Sequence, residues 1–324
     1  SLLDQHPRQE NNDAQAFFWG ASVLVSRLRT AAVLLAIVFG FIYLDVNMPL
    51  GGIPGLWMLP IYAVLCLGTS REASLIVREA WQIPVFWSPM IVSISAALPM
   101  IPEIASALSL DYWVDADWKS VPGRLAMVCL GHWILAILLG LRAIAAYENR
   151  QQVMGWLVSL GLLQYVSFAT SFWLILRHIG DQKHAMFNIV GIALVTKMAD
   201  TGAYFAGKNF GRKLLAPTLS PKKTWEGLVG GWTCACLSAL IYFCWIGGSQ
   251  TQNLVWQIAG ALLLGTALTW LGLLGDLIES MMKRSGDIKD SGGSFAGLGG
   301  VWDVTDSLIP AGMVGLIAIL LGWI

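Results

Sequence analysis

The chain has 324 residues, of which 56% are hydrophobic and only 12% charged, with a mean hydropathy of +0.65. Ordinary soluble domains carry about 25% charged residues, so these proportions exclude a water-soluble globule and point to an integral membrane protein. The formal net charge is zero, which excludes a general attraction to nucleic acid or acidic partners and leaves only the placement of charge to inform.

The opening stretch, "SLLDQHPRQENNDAQ", lacks the basic-then-apolar pattern of a cleaved signal, so the first membrane span is expected to be retained. A helix needs about 20 mostly apolar residues to cross the hydrocarbon core, because there only internal hydrogen bonds can satisfy its backbone. Nine stretches are candidates: 23–44, 53–68, 83–101, 124–141, 153–176, 187–206, 228–247, 254–275 and 306–324. The second is short and carries Pro54 and Pro60, which predicts a tilted, kinked or re-entrant segment. Between the third and fourth, "PEIASALSLDYWVDADWKSVPG" (102–123) has four acids and several aromatic residues and reads as an interfacial loop. His132, mid-span in "CLGHWILAILLG", reads as a packed, hydrogen-bonded histidine. The five cysteines lie in apolar runs without C-x-x-C spacing, as packing residues rather than a zinc site.

Charge gathers late in the chain, and ionisable groups inside spans are costly unless they pair or line a polar cavity. Lys197 and Asp200, in "VTKMADTGAYFAGK", are three apart and share a helix face, as either a structural ion pair or part of a cavity wall. The loop 207–227, "GKNFGRKLLAPTLSPKKTWEG", holds five Lys and Arg residues with hydroxyls at Thr218, Ser220 and Thr224. It lacks P-loop spacing and suits either anionic headgroups or a phosphate-bearing substrate. Asp276, Glu279, Ser280 and Lys283, at offsets 0, 3, 4 and 7, form one helical stripe at the edge of the bilayer. Asp303 and Asp306 repeat the device at the start of the last span, with Ser307 beside them. Two carboxylate-bearing helix ends joined by a glycine-rich loop, "SGGSFAGLGG" (291–300), could hold a hard divalent cation against substrate phosphates.

Orientation follows from Lys and Arg alone. With the N-terminus inside, fifteen of the 20 Lys and Arg residues fall in cytoplasmic segments. The expected fold is therefore an all-α polytopic membrane protein of about nine transmembrane helices, N-terminus cytoplasmic and C-terminus outside. Its segments would be a cytoplasmic stretch 1–22, scaffold helices 23–180, and a catalytic region 181–324 with cytoplasmic loops 207–227 and 276–305.

Two blocks carry a family resemblance. One comprises Ser280, Met282, Lys283, Arg284, Lys289, Asp290, Gly292, Phe295, Gly299, Gly300, Val301, Asp303, Thr305 and Asp306; the other is "ADTGAYFAGKNFGRKLLAPTLSPKKTWEGLVGG", 199–231. In both, the chain resembles the phosphatidate cytidylyltransferases, or CDP-diacylglycerol synthases, over roughly its C-terminal 130 residues; the N-terminal half is similar only in being hydrophobic. The resemblance implies transfer of a cytidylyl group from CTP to phosphatidate, Mg²⁺ as cofactor and a homodimer packed through the earlier spans. The placement of Lys and Arg puts the active site at the cytoplasmic face, and the absence of targeting signals points to a bacterial inner membrane. The resemblance also implies Asp276 and Asp303 as metal ligands supported by Asp306 and Asp290, and catalytic roles for Asp276, Lys283, Asp303 and Asp306. Lys283, Arg284 and Lys289 would hold phosphate oxygens, Ser220, Lys222, Lys223 and Thr224 would bind CTP, and Ser280 and Asp200 would complete the substrate site.

Three positions depart from the family pattern: Ala296 where Pro is usual, Leu298 where a His precedes Gly-Gly, and Val304 where an Arg follows the Asp. Losing a guanidinium and an imidazole removes two groups able to orient phosphate. The alternatives are a CTP-dependent kinase of a lipid alcohol and a weakened paralogue acting as a lipid-binding scaffold. A transporter fits less well, because its charges should be scattered at mid-membrane rather than gathered in two loops on one side.

Overall fold

A computed structural model describes residues 29–80, 85, 89–110, 116–145, 147–246, 253–286 and 299–324. In chain order the main helices are α1 (Arg29–Asn47), α2 (Leu59–Leu75), α3 (Pro89–Ala96), α4 (Leu98–Ala107), α5 (Val121–Ala145), α6 (Arg150–Leu176), α7 (Gln182–Phe210), α8 (Trp225–Ile246), α9 (Leu254–Ser285) and α10 (Val301–Leu320). A two-stranded antiparallel hairpin, β1 (Leu214–Ala216) and β2 (Ser220–Thr224), separates α7 from α8.

Among the described residues seven helices are long and apolar enough to cross a membrane, and α3 with α4, bent by 46°, would make an eighth. The architecture is all-α and polytopic. The candidate 53–68 corresponds to α2, which begins with Pro60 in its first turn, where a missing N–H is harmless. Its last turns carry the buried Thr69, Ser70, Glu72 and Ser74, while Val64, Leu67 and Leu75 are exposed, so its polar face is turned toward protein.

Sequence sets the helix starts through side chains that accept otherwise unpaired N–H groups. Asn149 caps α6, Asp181 caps α7 by accepting from the His184 N–H at 2.7 Å, Thr224 caps α8 and Asn253 caps α9. Lipid-facing residues such as Trp133, Ile144 and Trp245 are exposed, while a core of Ile192, Val195, Leu264, Leu268 and Val314 joins α7, α9 and α10. A second core brings Ala73, Ile76 and Val77 of the N-terminal half against Met282 and Trp302.

The end of the bundle remote from the two polar loops is held by buried ions. Arg177 donates from Nε to Asp45 Oδ2 at 2.6 Å, both side chains being essentially inaccessible, and Asp45 also accepts the Gly55 N–H. Beside them Arg124 grips Glu103 through both terminal nitrogens, and burial pushes the neighbouring His178 down to about 4, leaving it neutral against the sulfur of Met100. Arg177→Ala should destabilise the protein by about 3–5 kcal/mol, because Asp45 would remain buried and unpaired. A thermal midpoint in detergent unchanged from wild type would refute this.

Candidate active site

The two polar loops meet. The hairpin β1–β2 is closed at its base by Glu226, whose carboxylate accepts the backbone N–H groups of Arg212 and Lys213. Across it, Arg284 at the end of α9 reaches the Leu219 carbonyl at 3.5 Å. The contact that joins the blocks chemically is an ion pair of 2.6 Å between Lys223 and Asp276. The loop 207–227 and the end of α9 therefore form one site.

A cavity of about 380 Å³ lies between them, lined by Asp200, Lys222, Lys223, Thr224, Asp276, Asp303 and Asp306 among others. One wall is apolar, with Ala203, Leu215, Leu228 and Leu273, and Tyr204 at its edge. Such a space has a charged side able to take phosphate and a greasy side able to take an acyl chain or a base.

The acids are arranged by two helices in close approach. Asp276 and Glu279 lie on one face of α9, as the i, i+3 spacing dictates. Gly275 admits the backbone of α10 there, since a Cβ at that position would run into the Asp306 carbonyl. Carboxylate oxygens of Asp276, Glu279 and Asp306 all lie within 4.8 Å of one another, with Glu279 and Asp306 buried. Three like charges so close repel unless a cation joins them, and three hard oxygen donors suit a divalent ion such as Mg²⁺.

Asp303 is engaged differently from its expected partner Asp276. Its Oδ1 receives Lys283 at 2.7 Å and its Oδ2 the Gly300 N–H at 2.6 Å. Lys283 also donates to Glu279 at 2.8 Å, so its ammonium sits between two carboxylates rather than on the cavity wall. Ser280 donates to Asp276 at 3.5 Å. Thr224 lines the cavity, but its hydroxyl accepts the Gly227 N–H. Ser220 lies at the far end of β2, opposite Ala216 and outside the cavity lining. Lys289, Asp290, Ala296 and Leu298 fall outside the described residues.

α10 passes through a turn at Asp306 and Ser307 between Val301–Thr305 and Leu308–Leu320, and Lys197 binds there. Its ammonium donates to Asp200 Oδ2 at 3.1 Å, the Val304 carbonyl at 3.0 Å and Ser307 Oγ at 2.8 Å, while Ser307 donates to Asp200 at 2.9 Å. The pair read as either structural or cavity-lining is both, and it places a cation at Val304, where the guanidinium is missing. Lys197 and Glu279 are not among the site residues expected from sequence; for both, the available signal is an ionisable group on a helix stripe shared with an acid.

Residues 25–321 match the pattern described as "Cytidylyltransferase family". A phosphatidate cytidylyltransferase of Pseudomonas aeruginosa is 33% identical over 292 residues, covering 89% of this chain and 94% of that protein. Proteins of the same name from Haemophilus influenzae (39% identical over 131 residues) and Bacillus subtilis (35% over 145) match 40% and 45% of this chain. Those two matches span about half of each relative, 45% and 51% of its length.

Proposed function

The chain belongs to the cytidylyltransferase family, and from that premise we propose that it transfers a cytidylyl group from CTP to phosphatidate, yielding CDP-diacylglycerol and pyrophosphate for phospholipid biosynthesis. The observation that carries this reading is the cavity in which Lys222 and Lys223 face the acids of α9 and α10 beside an apolar wall.

In the reaction a phosphate oxygen of phosphatidate attacks the α-phosphorus of CTP. The bond from that phosphorus to the oxygen bridging to the β-phosphate breaks, and pyrophosphate leaves with the electron pair. Both reactants are anions, so the protein's contribution is alignment and neutralisation. Lys222 and Lys223 offer ammonium groups to the triphosphate from the hairpin. The apolar wall of Leu215, Leu228 and Leu273 shelters the lipid side and excludes water. Asp276, Glu279 and Asp306 would hold Mg²⁺, which when bound supplies positive charge to phosphate oxygens. Lys283 bridges Glu279 and Asp303 and holds them together, and Arg284 ties the hairpin to α9.

The protein is an integral membrane protein. In the proposed orientation its N-terminus and catalytic cavity face the cytoplasm, where CTP is available, across a bacterial inner membrane; the support is the concentration of Lys and Arg in the segments so placed. Residues 181–324 would carry most of the catalytic groups.

The test supplies purified protein with phosphatidate, Mg²⁺ and CTP labelled at either the α- or the γ-phosphate. Label from the α-position should enter lipid and label from the γ-position should leave as pyrophosphate. Lipid labelled from the γ-position would instead identify a lipid kinase, and no labelled lipid above that formed by Asp303→Ala would overturn the reading.

A further inference from the structure

Glu72 belongs to α2, in the half of the chain read from sequence as scaffold. Its carboxylate is buried, 4% exposed, and accepts the backbone N–H groups of Val301 and Trp302 at 2.9 Å each, one on each oxygen. Those are the first two residues of the short helical piece Val301–Thr305, which carries Asp303 and leads directly into Asp306. The piece is the first turn of α10 and runs through Asp306 and Ser307, both in helical conformation, into Leu308–Leu320. Its leading N–H groups have no acceptor within the helix, so the carboxylate of Glu72 caps them and fixes the direction in which the helix starts.

Three further contacts show that α2 imposes it. Thr69 Oγ1 and Thr305 Oγ1 are hydrogen bonded at 2.8 Å. Gly68 lets the two helices touch, since a Cβ there would lie 2.5 Å from the Val301 side chain. Trp302 is fully buried in the core that contains Ala73, Ile76 and Val77 of the same N-terminal segment. At the other end of the piece Lys197 takes the Val304 carbonyl. A carboxylate at the N-terminal end and an ammonium at the C-terminal end match the direction of the peptide dipoles.

We propose that Glu72 is a positioning residue for the transfer reaction, holding the Val301–Thr305 piece in the orientation that delivers Asp303 to Lys283 and Asp306 to Asp276 and Glu279. It acts through the helix and touches no reacting atom. The proposal rests on the cytidylyl-transfer reading for its kinetic part and on geometry alone for its structural part, and the test separates the two.

The full chain in detergent is compared as wild type, Glu72→Ala, Glu72→Gln and Gly68→Ala. Hydrogen–deuterium exchange is followed over 299–320, with kcat and the KM for CTP measured in parallel. In Glu72→Ala the amides of Val301 and Trp302 should exchange at least about tenfold faster while those of 308–320 stay protected. The kcat should fall about a hundredfold, as expected for a misplaced catalytic group, with the KM for CTP moving by less than about threefold, because Lys222 and Lys223 lie on the hairpin. Glu72→Gln keeps one accepting oxygen and should fall between. If Glu72→Ala does not fold, Glu72→Gln and Gly68→Ala decide, and both must lower kcat by more than the loss of folded protein accounts for. Wild-type kcat in the folded Glu72 variants, unchanged exchange at Val301 and Trp302, or activity lost only in proportion to folded protein would each overturn the proposal. An inactive wild type with the exchange difference intact would sink the proposed reaction and leave the positioning of the helix standing.

Discussion

Asp276→Ala is expected to lower cytidylyl transfer by about 10³-fold, the upper end of what removing one electrostatic stabiliser costs. Two losses combine. The triad of Asp276, Glu279 and Asp306 loses the member that also lines the cavity, so a cation held there would have one donor fewer. Lys223 loses the partner that fixes it at 2.6 Å, and with it the alignment of the positive wall. Stability should move in the opposite direction. The Asp276 side chain is 39% exposed, so little packing is lost, and removing one of three crowded carboxylates relieves repulsion. In chelator the thermal midpoint of the variant should therefore equal or exceed that of wild type, a trade of stability against activity common at catalytic sites. Asp276→Asn, of the same shape, should be equally inactive. Activity near wild type in either variant would remove Asp276 from the site.

Some of this arrangement was legible in the residues. The offsets of Asp276, Glu279, Ser280 and Lys283 on a helical period are a local property, and the structure puts the four on one stripe, with Ser280 and Lys283 bonded back to Asp276 and Glu279. The two charge-rich loops sit at one end of the bundle because two spans, α8 and α9, lie between them, and an even number of crossings returns the chain to the same side. Contacts between distant segments were not legible. Nothing in the period of α2 announces that Glu72 will meet Val301, 229 positions away, and the segment stands out in the sequence only for its short apolar run and for Pro54 and Pro60. Lys283 illustrates a further limit: the family resemblance implies that it holds phosphate oxygens, whereas the fold encloses it between Glu279 and Asp303. The hairpin of β1 and β2 was hidden because Lys222 and Lys223 read as positive charge on a loop, and charge carries no sign of strand pairing.

Lys283 also offers the second large effect, and one in which stability and activity separate. Its side chain is 13% exposed and bridges Glu279, 2% exposed, and Asp303, 18% exposed. Replacing it with methionine keeps the stem but leaves two carboxylates in a largely dry site without their shared cation. Breaking a buried pair in this way costs about 3–5 kcal/mol, so Lys283→Met should lower the thermal midpoint substantially and abolish transfer, since Asp303 would swing from the Gly300 N–H that now holds it. The double variant Lys283→Met with Glu279→Gln removes one of the stranded charges and should recover much of the lost stability, because a neutral amide needs no counter-ion. It should not recover activity, since Glu279→Gln takes one of the three carboxylates from the triad. Lys283→Arg, which keeps the charge but spreads it over a planar fork, should fold with a midpoint near wild type and show reduced kcat. A single variant as stable as wild type would mean that the two acids tolerate their isolation, and that the bridge is dispensable; recovery of transfer in the double variant would remove Glu279 from the ion-holding set and return that role to Asp276 and Asp303.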